Sequence, residues 1–200
     1  RIASFEFLKK LRKICDDNCI LLIMDEIQSG MGRTGKLFAF EHFEIIPDIL
    51  TIGKAFGGGM PIGGLVTSQK LMSLFSSNPA LGHITTFGGH PVSCAGALAN
   101  LEVLKNESII EKVEEKGKLF EKLISHSTIV EIRRIGLLFA IEMESPETVQ
   151  KVVEGCKKNG VLSFWFLSCP ESFRIAPPLN ISREEILDSC KIIKKVLDDL

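Results

Sequence analysis

The sequence predicts an α/β protein, with part of a mostly parallel sheet in its first half and a smaller α+β lobe at its end. Three patterns support this prediction. Residues 19–24 form a continuous apolar run that ends abruptly at Asp25, as in a strand buried on both faces of a parallel sheet. Amphipathic helical stretches alternate with further short apolar runs in the first half. Beyond residue 128, short strand-like runs alternate with helical ones.

The first part of the chain is predicted to hold one helix, three short strands and then a long helix. Apolar residues at helical spacing predict a first helix that stops at residues 16–18, and they are Phe7, Leu8, Leu11 and Ile14. Strands are predicted at 19–24, 48–53 and 63–67. The long helix begins at Pro91, because proline favours a first helical turn. The apolar face expected for this helix comprises Cys94, Ala97, Leu98, Leu101 and Leu104.

The second part of the chain begins with a predicted helical stretch, 107–124, that bridges to the smaller lobe. A helix is expected at 146–158, and strands are expected at 130–134, 137–143, 161–165 and 173–176. Ser182 and Glu185 form a capping box that starts the last helix. These patterns divide the chain into part of a large domain at 1–106, a connecting helix at 107–127 and a small domain at 128–200.

The composition is that of an ordinary globular chain of 200 residues, of which 45% are apolar and 24% charged. The formal net charge of -1 gives no reason to expect nucleic acid or an anionic membrane as partner. The apolar runs are too short to span a bilayer and no signal peptide is recognisable, so a cytoplasmic protein is expected. The six cysteines and four histidines are scattered, which predicts neither a disulfide framework nor a metal site.

A glycine-rich stretch after the first apolar run matches two nucleotide-binding patterns. Gly30 to Gly35 fits G-x-G-x-x-G, and Gly30 to Lys36 fits G-x-x-x-x-G-K, although Leu37 stands where magnesium binding needs Ser or Thr. A dinucleotide loop leaves its strand at once and enters a helix, whereas here five residues precede Gly30 and the stretch that follows is short. The next acid, Asp48, precedes its strand instead of following it. We therefore expect a glycine turn, with a nucleotide-dependent ATPase as an alternative.

Two charged residues stand at the ends of the first two predicted strands. Asp25 directly follows the run 19–24, and Lys54 follows the second strand, next to Gly53. Ligands of open α/β sheets bind at this carboxyl edge. A lysine at a strand end beside glycines is placed to act as an amine nucleophile towards a carbonyl group. The alternative is a lysine that only reaches solvent past the edge of the sheet.

Four motifs, which occur in a known order, make the chain similar to a protein family. They are DEIQSGMGRTG at 25–35, DILTIGKAFGGGMPIGG at 48–64, TTFGGHPVSCAGALA at 85–99 and RIAPPL at 174–179. The four resemble motifs of the class III aminotransferases, which use pyridoxal 5′-phosphate (PLP) and include acetylornithine and ornithine aminotransferases. The resemblance implies the PLP-dependent transferase fold type I, similar to aspartate aminotransferase, with part of its large domain followed by its small domain.

The resemblance implies a role for five residues. Asp25 would accept a hydrogen bond from the PLP ring nitrogen and keep it protonated, and Gln28 would contact the ring's 3-oxygen. Lys54 would bond covalently to the cofactor and later move a proton on the substrate. Thr86 would reach the phosphate bound by a neighbouring subunit, which implies a homodimer, and Arg174 would hold a substrate carboxylate. Each residue also has a structural alternative, such as a turn, a surface polar group or an ion pair with a nearby acid.

The activity implied is transfer of an amino group from an amino acid or ω-amine to a keto acid such as 2-oxoglutarate. Alternatives are a relative with another outcome, an aminomutase or decarboxylase, and an inactive truncated paralogue. The chain departs from the family at His90, where Asn is expected, and no catalytic role is assigned to that change. Family members are about twice as long and this chain begins at Arg1 without methionine, so we expect the C-terminal portion of an enzyme that would not transaminate alone.

Overall fold

A computed structural model describes residues 2–80 and 83–200. The chain forms two compact units. The N-terminal unit comprises residues 3–32, 36–80 and 83–108, and the C-terminal unit comprises residues 2, 33–35 and 109–200. The domain limits given above, 1–106, 107–127 and 128–200, remain a prediction. No helix in the described part of the chain is both long and apolar enough to cross a membrane.

Helix α1 opens the N-terminal unit and confirms the first predicted helix. It spans Phe5–Asp17, and the Ser4 hydroxyl caps it by accepting a hydrogen bond from the Phe7 N–H at 3.2 Å. One side of the helix buries a small apolar cluster made of Leu8, Cys15, Leu22 and Ile45. The helix therefore packs on the residues that lead into the first two strands.

Three strands form the sheet of the N-terminal unit in the order β1-β2-β3. They span Ile23–Asp25, Ile49–Ile52 and Gly64–Thr67. Strands β1 and β2 are parallel, whereas β2 and β3 are antiparallel, so this sheet is mixed.

The prediction that the run 19–24 is a strand buried on both faces was wrong. Only the end of the run is strand, and Ile23 is 56% exposed. Strand β1 is an edge of the described sheet with β2 as its neighbour. An apolar run identifies a strand but does not say how many elements cover it.

Helix α2 at Gln69–Met72 is short, and helix α3 at Pro91–Asn106 is the long helix predicted from Pro91. The predicted face of α3 is buried only in part, because Ala97 and Leu104 are buried as predicted, whereas Leu98 is 59% exposed and Cys94 is also exposed. Its buried residues are Ser93, Ala97 and Leu104. The unit also contains 3₁₀ turns at Ala39–Phe43, Lys54–Gly57 and Ser73–Ser76.

The C-terminal unit packs three helices against one antiparallel sheet in the order β4-β5-β7-β6. The strands β4 to β7 span Glu131–Ile135, Leu138–Glu142, Phe164–Phe166 and Cys169–Ile175. The helices α4 to α6 span Val113–Leu123, Pro146–Lys158 and Arg183–Asp198, after a 3₁₀ turn at Ile110–Lys112. The predicted strands and helices of this lobe are confirmed, except that residues 107–112 of the bridging stretch are not α-helical and residues 161–163 are not strand.

The core of the C-terminal unit is built from alternating strand residues and one stripe of each helix. Phe139 and Ile141 of β5 are fully buried, while their neighbours in the strand are partly exposed. They pack in one cluster with Phe120, Phe173 and Ile186. The predicted capping box at the start of α6 is present, with the Ser182 hydroxyl and the Glu185 carboxylate each accepting a backbone N–H.

Candidate active site

Asp25 and Lys54 lie at the same edge of the N-terminal sheet. Asp25 is the last residue of β1, and Lys54 comes two residues after the end of β2. Because the two strands are parallel neighbours, with Asp25 paired to Thr51, their carboxyl ends meet at one edge. The structure therefore brings these two predicted site residues together.

The Asp25 side chain is exposed, and one of its oxygens is held by its own turn. Oδ1 accepts a hydrogen bond from the Ile27 N–H at 3.0 Å, as in an Asx turn. Oδ2 has no hydrogen-bond partner in the described part of the chain. The carboxylate is thus oriented by the backbone and keeps one oxygen available for another donor. Its turn role and its predicted cofactor role are compatible.

Glu26, which the sequence analysis did not single out, is the buried neighbour of Asp25. It is 2% exposed, and its carboxylate accepts hydrogen bonds from the Ser29 hydroxyl and from the Phe40 N–H, the latter at 2.8 Å. A buried carboxylate needs such donors to offset its lost hydration. The Asp-Glu pair at the end of a strand is a signal that could have identified it, since consecutive strand residues point to opposite sides.

The glycine-rich stretch forms a turn around Glu26. A Cβ atom on Gly30 would lie 2.7 Å from the Glu26 carbonyl oxygen, so only glycine fits there. Gly32 has a φ of 86°, which favours glycine as well. The segment after the turn forms the 3₁₀ turn Ala39–Phe43 and no α-helix, so the helix N-terminus that a dinucleotide loop requires is missing from this stretch. The ATPase alternative therefore has no support.

Gln28 and Thr86 are both exposed in the N-terminal unit. Gln28 belongs to the turn that follows Asp25, so it lies at the same sheet edge. Thr86 lies in the segment 83–90, in which every residue is exposed, just before helix α3. The roles expected for both residues remain predictions.

Lys54 is exposed and adopts an unusual backbone conformation. Ile52, the last residue of β2, and Gly53 are buried, but the lysine side chain is open to solvent. No hydrogen bond or ion pair engages its ammonium group within residues 2–80 and 83–200. Its φ is 47°, in the left-handed region, which costs a residue other than glycine about 1–2 kcal/mol. Surrounding contacts must therefore hold this conformation.

Helix α3 supplies such contacts to the Lys54–Gly57 turn. The Asn100 side-chain amide donates a hydrogen bond to the carbonyl oxygen of Ala55, the residue after Lys54, at 2.9 Å. Gly58 and Gly96 allow the two backbones to approach, because a Cβ on Gly58 would lie 2.5 Å from the Gly96 carbonyl oxygen. Sequence reasoning missed this support. The sequence feature that could have indicated it is the pair Gly96 and Asn100, four residues apart in a helix, because neither residue type is favoured in a helix interior.

In the C-terminal unit, Arg174 lies half-buried on β7, with its guanidinium carbon 5.9 Å from the centre of the Phe166 ring. It forms no ion pair within the described residues, so the alternative that it pairs with a nearby acid is not supported. Arg33 lies in the same unit and donates to the carbonyl oxygens of Leu137 and Pro177. Burial, and then the positive charge of Arg174, lower the pKa of Arg33. Neither Arg33 nor Arg174 has an acid partner within residues 2–80 and 83–200, and two such cations favour binding of an anion such as a carboxylate.

The fold, with Asp25 and Lys54 at the carboxyl ends of two parallel strands, defines an α/β protein. A family model described as aminotransferase class-III matches residues 1–197, and the chain belongs to this family. It is 41% identical to an acetylornithine aminotransferase of Methanocaldococcus jannaschii, over 92% of this chain and 46% of that protein. It is 40% identical to a putrescine aminotransferase of Pectobacterium atrosepticum, over 97% of this chain and 43% of that protein.

Solved structures show the same similarity. A Bacillus anthracis aminotransferase matches with a TM-score of 0.91 and 31% identity, over 100% of this chain and 49% of that one. The acetylornithine aminotransferase of Elizabethkingia anophelis matches with a TM-score of 0.88 and 38% identity, over 100% of this chain and 53% of that one. An ornithine aminotransferase of Toxoplasma gondii, described with PLP at its active site, matches with a TM-score of 0.86 and 37% identity, over 96% of this chain and 46% of that one. The chain thus spans about half the length of its relatives.

Proposed function

We propose that the full-length protein is a PLP-dependent aminotransferase that moves an amino group from an amino acid or ω-amine to a keto acid such as 2-oxoglutarate. The observation that carries the proposal is the pair of exposed side chains, Asp25 and Lys54, at the ends of adjacent parallel strands. Membership of the class III family supports it, as do relatives named acetylornithine and putrescine aminotransferases. No relative named above favours an aminomutase or a decarboxylase.

The residues present fit PLP. The cofactor requires a primary amine for attachment and an acceptor for its ring nitrogen, and Lys54 and Asp25 offer these groups without competing ion pairs in the described chain. When bound, PLP takes up the electrons that remain on a substrate carbon after that carbon loses a proton or another group. The chain's own residues then have to bind, orient and exchange protons.

Asp25 would act by orientation and charge. The Ile27 N–H holds Oδ1, and Oδ2 would accept a hydrogen bond from the ring nitrogen. A carboxylate in that position favours the protonated nitrogen, because opposite charges stabilise each other. Gln28, on the same turn, would donate to the ring's 3-oxygen.

Lys54 would hold the cofactor covalently and, once displaced by the substrate amine, would carry a proton between substrate and cofactor carbons. Arg174 would bind a substrate carboxylate through a bidentate pair. Thr86 would contact the phosphate bound by a second subunit, so the proposed active form is a homodimer. The proposed location of the protein is the cytoplasm. Because relatives are about twice as long, we propose that these 200 residues alone do not transaminate.

The test is a PLP-binding experiment on the full-length protein. We expect PLP to produce a protein-bound absorption band, and borohydride reduction followed by peptide mapping to place the label on Lys54. Lys54→Ala should abolish the label. The exposed Lys70 lies in the same unit, so Lys70→Ala is the matched control and should leave the label unchanged. A colourless protein, or a label on another lysine, would contradict the proposal.

A further inference from the structure

We propose that helix α3 positions Lys54, and that Asn100 is the positioning residue that links the helix to the lysine turn. This inference rests on the proposed role of Lys54 as the cofactor-bearing lysine. It assigns a role to a residue that touches neither substrate nor cofactor in the proposal above.

The hydrogen bonds around Ala55 carry the first part of the argument. The Ala55 carbonyl oxygen accepts from the Asn100 side chain at 2.9 Å and from the Gly58 N–H at 3.1 Å. The Phe56 N–H closes the turn by donating to the Gly53 carbonyl oxygen at 2.9 Å. The peptide group between Ala55 and Phe56, one residue beyond Lys54, is therefore fixed by the turn on one side and by α3 on the other.

The close approach of the Lys54–Gly57 turn to the backbone of α3 carries the second part of the argument. A Cβ on Gly96 would lie 2.8 Å from the Gly57 carbonyl oxygen, and a Cβ on Gly58 would lie 3.1 Å from the Asn100 Cβ. Gly58 also has a φ of 57°, which glycine adopts without strain. Only with glycine at both positions can Asn100, one helical turn after Gly96, reach the Ala55 carbonyl oxygen.

Lys54 needs this support because its own backbone conformation is unfavourable. With a φ of 47°, it would relax to the right-handed or extended region if its neighbours allowed it. The glycines that flank the turn resist such relaxation poorly, since glycine accepts many conformations. Relaxation would redirect the lysine side chain, because the direction of the Cα–Cβ bond follows the backbone. Asn100 therefore holds the direction in which the Lys54 Cα–Cβ bond leaves the backbone.

The substitution Asn100→Ala tests this role with little risk to folding. Alanine is a better helix former than asparagine, so the change should not weaken α3 itself. The chain offers a matched control in Asn18, whose side-chain amide donates to the Ile14 carbonyl oxygen at 2.8 Å at the end of α1. Asn18→Ala removes the same kind of hydrogen bond in the same unit, away from the lysine turn.

The measurements use the full-length protein in its PLP-bound and PLP-free forms. We expect Asn100→Ala to weaken PLP binding about fivefold to tenfold and to slow borohydride-trapped labelling of Lys54 by a similar factor, as loss of one hydrogen bond implies. Its melting temperature should stay near that of the wild type. Without PLP, hydrogen–deuterium exchange of residues 53–60 should quicken by the same factor. Asn18→Ala should change the melting temperature and leave PLP binding, Lys54 labelling and the exchange of residues 53–60 unchanged.

The outcomes separate the two proposals. If wild-type protein fails to carry PLP on Lys54, the proposed function fails, and the exchange of residues 53–60 without PLP still decides whether Asn100 holds the turn. If wild-type protein carries PLP but Asn100→Ala matches Asn18→Ala in binding and labelling, the positioning role is overturned. Unchanged exchange of residues 53–60 in Asn100→Ala would overturn it as well.

Discussion

Asp48 joins helix α1 to the beginning of the first strand through a single carboxylate oxygen shared by two donors. Its Oδ2 accepts from Arg12 Nη1 at 2.7 Å and from the Leu22 N–H at 2.8 Å. These bonds, the Leu22 N–H first and Arg12 second, hold the pKa of Asp48 below its ordinary value. In a dinucleotide-binding motif, an acid after the second strand would bind the ribose. Asp48, the acid found near that position, instead has this structural role.

Removing this link should destabilise the protein. Asp48→Ala is expected to lower the free energy of unfolding by about 2 kcal/mol, since two hydrogen bonds to a partly solvent-screened charge are lost. Asp48→Asn should cost less, because its amide oxygen still accepts from Leu22. Urea denaturation at pH 7 measures both. Asp17→Asn, which breaks only the exposed pair with Lys13, is the control and should change stability by less than about 0.5 kcal/mol.

The Asp48 contribution should also depend on pH. Because its folded pKa is lowered, the stabilisation is present above its ordinary value of 3.8 and is lost as the pH falls through the lower folded value. The stability difference between wild type and Asp48→Asn should therefore shrink when the pH drops below about 4. A difference that stays constant down to pH 2 would show that the charge of Asp48 contributes nothing.

The left-handed backbone at Lys54 predicts an unusual order of stability for two variants of this residue. Lys54→Gly should be more stable than Lys54→Ala by about 1 kcal/mol, because glycine adopts a φ of 47° without a steric penalty. At Lys10, in the interior of α1, the order should be reversed, with Lys10→Ala more stable than Lys10→Gly by about 1 kcal/mol. Melting temperatures of the four variants test this, and equal stabilities at Lys54 would argue against the left-handed conformation.

His90 occupies the N-cap of α3 without forming a side-chain capping hydrogen bond. His90→Asn should add about 1 kcal/mol of stability, because an Asn side chain at this position accepts from a free backbone N–H of the first turn. His90→Ala should match wild type, since no capping bond is lost. Thermal denaturation compares the three proteins. If Asn and Ala give the same melting temperature, the helix start does not need a cap.

Two buried thiols predict a loss of stability at alkaline pH. Burial raises the pKa of Cys156 to about 11 and that of Cys190 to about 12, from an ordinary 9.0. Their stabilisation is complete below about pH 9 and declines as the pH rises through the folded values, by at most about 1.4 kcal/mol per pH unit per thiol. Denaturation between pH 8 and 10.5 should show a shallower decline in Cys190→Ala. An unchanged slope would contradict the prediction.

Several elements followed from local sequence alone. The Ser182–Glu185 capping box and Pro91 mark helix starts that the structure reproduces. Asp25 and Lys54 were placed at strand ends because apolar runs stop there, and the parallel pairing of β1 with β2 brings them to one edge. The resemblance to the family rested on short motifs that include Asp25, Lys54 and Pro91.

Other features could not be predicted, because each depends on residues distant in sequence. Apolar periodicity did not reveal that Ile23 of β1 and Leu98 of α3 are exposed. The burial of Glu26 depends on the Phe40 N–H, fourteen residues later. The contact between Asn100 and Ala55 spans forty-five residues.

The sequence by itself determined where helices α3, α5 and α6 begin, which side chains stand at strand ends, and the family to which the chain belongs. These properties are local, since capping, turn chemistry and apolar runs act over a few residues. The tertiary structure alone decided which faces are buried and that Lys54 is held in a left-handed conformation by α3. Packing decides such features, because a strained backbone persists only where contacts from another part of the chain stabilise it more than relaxation would.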